Sequence, residues 1–228
     1  MMLRYQPTVG HVVASISTAE GLARFPSLDV PSFCDVVEFR VDLYPEVVAS
    51  IAETARANTL PSLITVRDAK EGGGQLTFEQ RLALYSQLLP VADVIDIEVV
   101  NLESYKDLIS QAHAAGIAII ASQHRFQNGF TTDEMRQIAR SASSAGADVV
   151  KLAMQVESLD HLFRLANFVP VAGMPVSAMG MGRYGQVSRV LLGHCGSVLN
   201  YGYLDEPTVA GQWSAVELKR VLAQMAKP

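Results

Sequence analysis

The stretch from Ala147 to Val156, ADVVKLAMQV, sets a single lysine inside an otherwise apolar run. A cation buried without a partner usually gives up its proton rather than bear the desolvation cost, and a neutral lysine amine attacks a carbonyl to form a Schiff base. The competing reading of Lys151 is a side chain that snorkels from a strand end into solvent. Other chemistry-bearing residues recur near the ends of similar runs. Side chains two apart on a strand share a face, so VVEFRVD groups Glu38, Arg40 and Asp42, ITVR groups Thr65 and Arg67, and VIDIEVV groups Asp96 and Glu98. In the same way ASQHRF groups Ser122 with His124, and VSAMG groups Ser177 with Met179. Lysine, histidine and guanidinium together suit imine chemistry on an anionic carbonyl compound. Lys151 would form the adduct, His124 would move protons, and an arginine would hold a carboxylate or phosphate.

Something must bring these residues together. From His11 onward, short β-branched runs alternate with helical patterns, eight of each. The expected strands are 11–17, 35–42, 62–67, 94–98, 117–123, 147–152, 174–178 and 197–200. Helix 78–89 repeats apolar residues at Phe78, Leu82, Tyr85 and Leu89, and helix 132–145 at Met135, Ile138, Ala139 and Ala142. Thr131 with Glu134 forms a capping box, and Gly116 and Gly146 stand where helices stop. Strict alternation calls for a parallel α/β sheet, and eight units fit a closed (β/α)8 TIM barrel better than an open sheet. No sequence repeat stands out between the units and no linker divides them, so residues 1–228 read as one domain. In a barrel the C-terminal strand ends meet at one mouth, so Glu38, Arg40, Arg67, Glu98, His124 and Lys151 are expected to converge on one cavity.

Three loops add candidates. DAKEGGGQLT carries Glu71 and three glycines, which read as a mobile or tightly turning segment over the mouth. MGMGRYGQVSR follows strand seven, where its glycines could offer backbone N–H groups to an anion beside the planar fork of Arg189. NYGYLDEPTVAGQWS brings Thr208 and Gln212 towards the same mouth, with hydroxyl and amide groups suited to a polar ligand.

Composition excludes several other classes. The net charge of −5 has its signs interspersed, without the basic stripe that nucleic acid or an anionic membrane would need. Cys34 and Cys195 lie far apart, and His11, His113, His124, His161 and His194 show no paired ligand spacing, which argues against a disulfide framework and against a metal site. The first ten residues lack the apolar stretch of a signal peptide, and no run approaches the ~20 apolar residues of a membrane span. A cytoplasmic protein is expected.

From EFRVDLYP at residue 38, through TVRDAKEGG, DIEVV, SQHRF, VVKLA, SAMGMGRYGQVSR and GSVLN to AGQWS, the chain resembles the type I 3-dehydroquinate dehydratases over nearly its whole length. These are barrel lyases of the third step of the shikimate pathway, which leads to chorismate and the aromatic amino acids. The resemblance implies that 3-dehydroquinate loses water to give 3-dehydroshikimate, with no metal or diffusible cofactor. It further implies that Lys151 forms the Schiff base, that His124 is general acid and base, and that Glu71 orients His124. Glu38, Arg40 and Arg67 would hold ring hydroxyls, and Arg189 with Thr208 and Gln212 the substrate carboxylate. Phe126, Met179 and Met181 would be apolar walls, and the protein would be a homodimer. Burial and cationic neighbours such as Arg189 would keep the lysine neutral. The chain departs from the family pattern in two places. TVAGQ replaces the usual SAPGQ, which removes a proline, and only about ten residues precede strand one where longer members carry a hairpin beneath the barrel. Two rivals share some of these features: another class I imine barrel such as an aldolase, and a barrel that binds a small anion without catalysis.

Overall fold

The computed structural model describes residues 10–225, so the expected cover beneath the barrel and the reading of the first ten residues as leaderless fall, Gly10 apart, outside the described residues. Eight strands, β1 (His11–Ile16), β2 (Val36–Arg40), β3 (Ser62–Thr65), β4 (Val94–Glu98), β5 (Ala118–Arg125), β6 (Val149–Gln155), β7 (Val176–Met181) and β8 (Leu199–Tyr203), form one parallel sheet. Its order is β7-β6-β5-β4-β3-β2-β1-β8. The Val198 amide donates to the Val176 carbonyl at 2.8 Å and Ser177 Oγ to that of Leu199 at 2.8 Å, which brings β8 against β7 and closes the barrel. Around it run α1 (Ala19–Arg24), α2 (Val48–Ala57), α3 (Phe78–Leu88), α4 (Lys106–Ala114), α5 (Thr132–Ser144), α6 (Leu159–Phe168), α7 (Gly185–His194) and α8 (Ala215–Met225). The (β/α)8 barrel is thus observed, and no helix among the described residues is long and apolar enough to cross a membrane.

Apolar side chains fill two compartments. Val13, Val36, Leu63, Val94, Ile120 and Val149 close the barrel's interior, while outward strand residues such as Val37, Ile64, Ile95 and Ile119 pack with Met135, Ile138 and Ala142 of α5 and their counterparts. The α5 face is the expected one, and its capping box between Thr131 and Glu134 is formed. The face of α3 is only partly the expected one. Tyr85 is buried and Leu82 and Leu89 partly so, but Phe78 is exposed, and Arg81 and Leu88 turn inward beside Tyr85. An apolar-only count rotates this helix because its inward position is an arginine held by ion pairs.

The structure also exposes a repeat that the bare sequence hides. Asp35, Asp93 and Asp148, each just before an even-numbered strand, accept the amides of Val12, Ser62 and Ile119 at 2.9, 3.0 and 2.8 Å. Ser197 Oγ accepts that of Ala178 at 3.1 Å in the fourth equivalent place. CDVV, ADVI, ADVV and GSVL are therefore one motif, whose polar side chain accepts an amide near the start of the preceding strand. Too few positions are shared for the repeat to stand out without the pairing.

Candidate active site

The strand ends differ from expectation in ways that shape the site. β5 and β7 run on to Arg125 and Met181, which places His124, Met179 and Met181 within strands, whereas β2 and β3 stop at Arg40 and Thr65. Asp42 and Arg67 therefore lie just past their strands. One cavity at the mouth is lined by Ser15, Glu38, Arg40, Arg67, Glu71, His124, Phe126, Lys151, Met179, Met181, Arg189, Tyr201, Thr208 and Gln212. The twelve residues given roles in binding or catalysis meet there. Glu98, also expected at the mouth, does not. It is fully buried beneath the cavity, where its oxygens take Arg67 Nη1 at 3.0 Å, the Asp68 amide at 2.9 Å, Asn101 at 3.0 Å and Arg81.

Lys151 is 4 % exposed, and its Nζ lies 3.0 Å from Asp96 Oδ2, 3.9 Å from Glu38 Oε1 and 4.1 Å from the centre of the Tyr201 ring. Solvent snorkelling is thereby excluded, and the expected cationic surroundings are corrected: the contacts are two carboxylates and an aromatic face. Glu38 is fixed by Ser15 Oγ at 2.5 Å and Thr65 Oγ1 at 2.8 Å, and Asp96 by Arg67 Nη2 at 2.8 Å and Ser122 Oγ at 2.5 Å. Burial would raise the Asp96 carboxyl, but the Arg67 and Lys151 cations with Ser122 hold it well below the usual carboxylate range. Burial works against the Arg67 charge too, and Asp96 and Glu98 overcome it.

On the neighbouring strand, His124 Nδ1 and its own backbone amide lie 2.8 and 3.0 Å from Glu71 Oε2. Burial, with the Arg67 and Lys151 cations, pushes the imidazole well below its ordinary value, so it is neutral at pH 7. Burial also lifts the Glu71 carboxyl to about 7, against the pull of Arg67. With Glu71 ionised, both groups facing Oε2 donate, so the proton sits on Nδ1 and Nε2 keeps a lone pair for a substrate proton.

The loops are packed rather than loose. Gly72 adopts φ 84° at the end of the turn Ala69–Glu71, and a Cβ on Gly73 or Gly74 would collide with the carbonyls of Arg67 or Asp42. The tight turning expected of this segment is observed. The glycines after β7 do not form a free anion nest: the Gly182 amide donates to the Ala210 carbonyl at 3.1 Å, and Gly185 abuts Gly211. Arg189 is 1 % exposed. Its Nε donates to the Tyr201 carbonyl at 2.9 Å, and its Nη1 to those of Gly180, Gly185 and Gly211 at 2.9, 3.0 and 3.3 Å. Only Nη2 is left by these bonds to face an anion, and burial lowers the group to about 10. Thr208 is exposed, with its amide and Oγ1 at 3.0 and 3.3 Å from Gln212 Oε1. Phe126 sits at the rim, whereas Met179 and Met181 are buried walls.

Sequence reasoning passed over Ser15, Tyr201 and the full part of Asp96. The alternation Val13, Ser15 and the position of Asp96 two before Glu98 were available signals; for Tyr201 no signal separated it from neighbouring Tyr203.

The family model for Type I 3-dehydroquinase matches residues 13–227. A curated 3-dehydroquinate dehydratase of Klebsiella pneumoniae subsp. pneumoniae is 33% identical over 233 residues, covering 95% of this chain and 90% of that protein. Among solved structures, the 3-dehydroquinate dehydratase of Enterococcus faecalis is 28% identical with a TM-score of 0.80, covering 95% of this chain and 94% of that one. That of Geobacillus kaustophilus, 21% identical, shares the fold with a TM-score of 0.83, covering 97% and 93%.

Proposed function

The chain belongs to the type I 3-dehydroquinase family and is a lyase of the kind that dehydrates 3-dehydroquinate in the shikimate pathway; from that premise we propose that Lys151, His124 and Glu71 carry the reaction. The observation that supports this most strongly is placement: Lys151 and His124 stand on paired strands, with Ser122 opposite Lys151 and His124 opposite Ala153, and both line one cavity.

Addition requires the unprotonated amine, and the His124 imidazole, which lines the same cavity, is placed to take up its proton. Lys151 then adds to the C3 ketone, and the His124 imidazolium gives that proton to the carbinolamine hydroxyl, which leaves as water, so the product is a protonated imine and His124 is neutral again. That cation forms beside ionised Asp96 and the Tyr201 face, which stabilise it without reorganising. The imine draws electrons from C2, so Nε2 of His124 removes the C2 proton. The imidazolium returns a proton to the C1 hydroxyl, which departs as water, and hydrolysis frees 3-dehydroshikimate and the amine. Arg40 and Arg67, with Glu38, offer donors and acceptors to ring hydroxyls, and Arg189 Nη2 with Thr208 and Gln212 offers donors to the carboxylate. The chain acts as one catalytic domain over residues 1–228, homodimeric by its family resemblance, and cytoplasmic, which suits the free Cys34 and Cys195.

The test follows the conjugated enone of 3-dehydroshikimate by absorbance. The protein should produce it from 3-dehydroquinate, and His124→Ala should lose about 100- to 10,000-fold in kcat while still binding substrate. Near-normal kcat in that variant would move the proton transfers to another residue.

A further inference from the structure

Arg81 is 2 % exposed, lies on α3 outside the barrel and does not line the cavity, yet two hydrogen-bonded lines run from it to the two reactive side chains. Its Nη2 donates to Glu98 Oε2, its Nη1 to Asp68 Oδ2 at 2.8 Å, and its Nε to the Val66 carbonyl at 3.0 Å. The first line passes through Glu98 Oε1 to Arg67 Nη1 at 3.0 Å, from Arg67 Nη2 to Asp96 at 2.8 Å, and from Asp96 to Lys151 Nζ at 3.0 Å. Charge alternates at every step from Asp68 to Lys151, so each buried ion has an opposite neighbour on either side. The second line starts at Asp68, whose Oδ1 caps the turn Ala69–Glu71 by accepting the Lys70 amide at 2.9 Å. Glu71 in that turn holds His124 at 2.8 Å.

We propose that Arg81 is a shared positioning residue: by holding Glu98 with one arm and Asp68 with the other, it fixes the amine of Lys151 and the imidazole of His124 in one relative geometry. The chemistry requires this. Imine formation and proton removal act on adjacent carbons of one substrate, so the two side chains must keep register with each other as well as with the ligand. A displacement of about 1 Å far from the reacting atoms can cost roughly 100-fold in rate. Only a planar fork with five donors reaches two carboxylates and a carbonyl at once, so lysine is a partial substitute. A buried ion pair kept merely for stability has little to recommend it over apolar packing, which makes a geometric role the better account of this one.

The inference rests on the roles given to Lys151 and His124 above, and the experiment separates the two. Borohydride trapping in the presence of 3-dehydroquinate counts competent sites in wild type and in the Arg81→Met, Arg81→Lys and Asp68→Asn variants. Then kcat per trapped site, KM and the pH profile of kcat are measured for each. Arg81→Met should lose roughly 10- to 100-fold in kcat per trapped site with KM nearly unchanged. Its acid limb should move to higher pH, because an unneutralised Glu98 further disfavours the Glu71 carboxylate. Arg81→Lys should recover part of both effects. Asp68→Asn, at the partly exposed end of the network, interrupts only the line to His124 and should lose several-fold; with Arg81→Lys it carries the test if Arg81→Met fails to fold. Unchanged kcat per trapped site and an unchanged pH profile in these variants, with loss confined to melting temperature, would overturn the inference alone. Failure to trap wild type at Lys151 would overturn the reading beneath it and the inference together.

Discussion

Replacing Glu71 with glutamine keeps the side chain's shape and one acceptor oxygen but removes its charge. In the native site Oε2 faces both His124 donors, Nδ1 at 2.8 Å and the backbone amide at 3.0 Å, with the carboxylate only 10% exposed. As His124 takes the C2 proton the ring becomes cationic, so the Nδ1 bond changes from neutral to charge-assisted. A bond to a charged group contributes about 1.5–3 kcal/mol against about 0.5–1.5 for a neutral one, so the variant loses roughly 1–1.5 kcal/mol in the transition state and kcat falls about 5- to 13-fold. The size of the loss depends on pH. With the Glu71 carboxyl lifted to about 7, the acid is ionised above that pH and holds the proton on Nδ1. Below it, the protonated acid donates to Nδ1, the imidazole proton moves to Nε2, and the base is lost. Wild type should therefore show an acid limb near 7, while Glu71→Gln, whose amide cannot ionise, should lose that limb and approach wild type by pH ~6. Initial rates of enone formation across this range decide it. Equal kcat at pH ~8, or an acid limb still near 7 in the variant, would refute the assignment.

Asp96→Asn leaves Arg67 and Lys151 facing an amide in a fully buried place, where breaking such a pair costs about 3–5 kcal/mol, so the urea midpoint at pH 7 should fall clearly. The folded carboxyl is depressed, so its contribution is present above the unfolded value of ~3.9 and is lost as pH drops through the folded value; the gap between variant and wild type should close in strong acid. Thr208→Ser should be nearly neutral in steady-state kinetics, whereas Thr208→Val, which deletes the hydroxyl beside Gln212, should cost about 0.5–3 kcal/mol of substrate binding, read as a rise in KM. A valine variant equal to wild type would leave Arg189 Nη2 and Gln212 to hold the carboxylate.

The barrel was legible because strand-helix alternation and β-branched runs are local signals, and the cavity's ionisable set because strand alternation assigns faces. What escaped required knowing how partners meet across the fold. Lys151 reads as an isolated amine in ADVVKLAMQV, and only the pairing of β4, β5 and β6 shows Asp96 beside it. Arg189 reads as a free cation, but four backbone carbonyls engage its Nε and Nη1. Glu98 shares the face of Asp96, yet Arg81 arriving from α3 keeps it below the cavity floor. TVAGQ lacks the usual proline, and contacts that the sequence does not show hold this loop instead: the Gly182 amide, Arg189, and Trp213 Nε1, which bonds the Gln186 carbonyl at 3.0 Å.

The claim on which the account depends is that Lys151 forms a covalent imine with the substrate. Incubation with 3-dehydroquinate and borohydride, followed by digestion and mass spectrometry, should place one reduced adduct on the peptide containing Lys151, with none when either reagent is left out. Absence of an adduct, or its appearance on exposed Lys70 or Lys106, would contradict it.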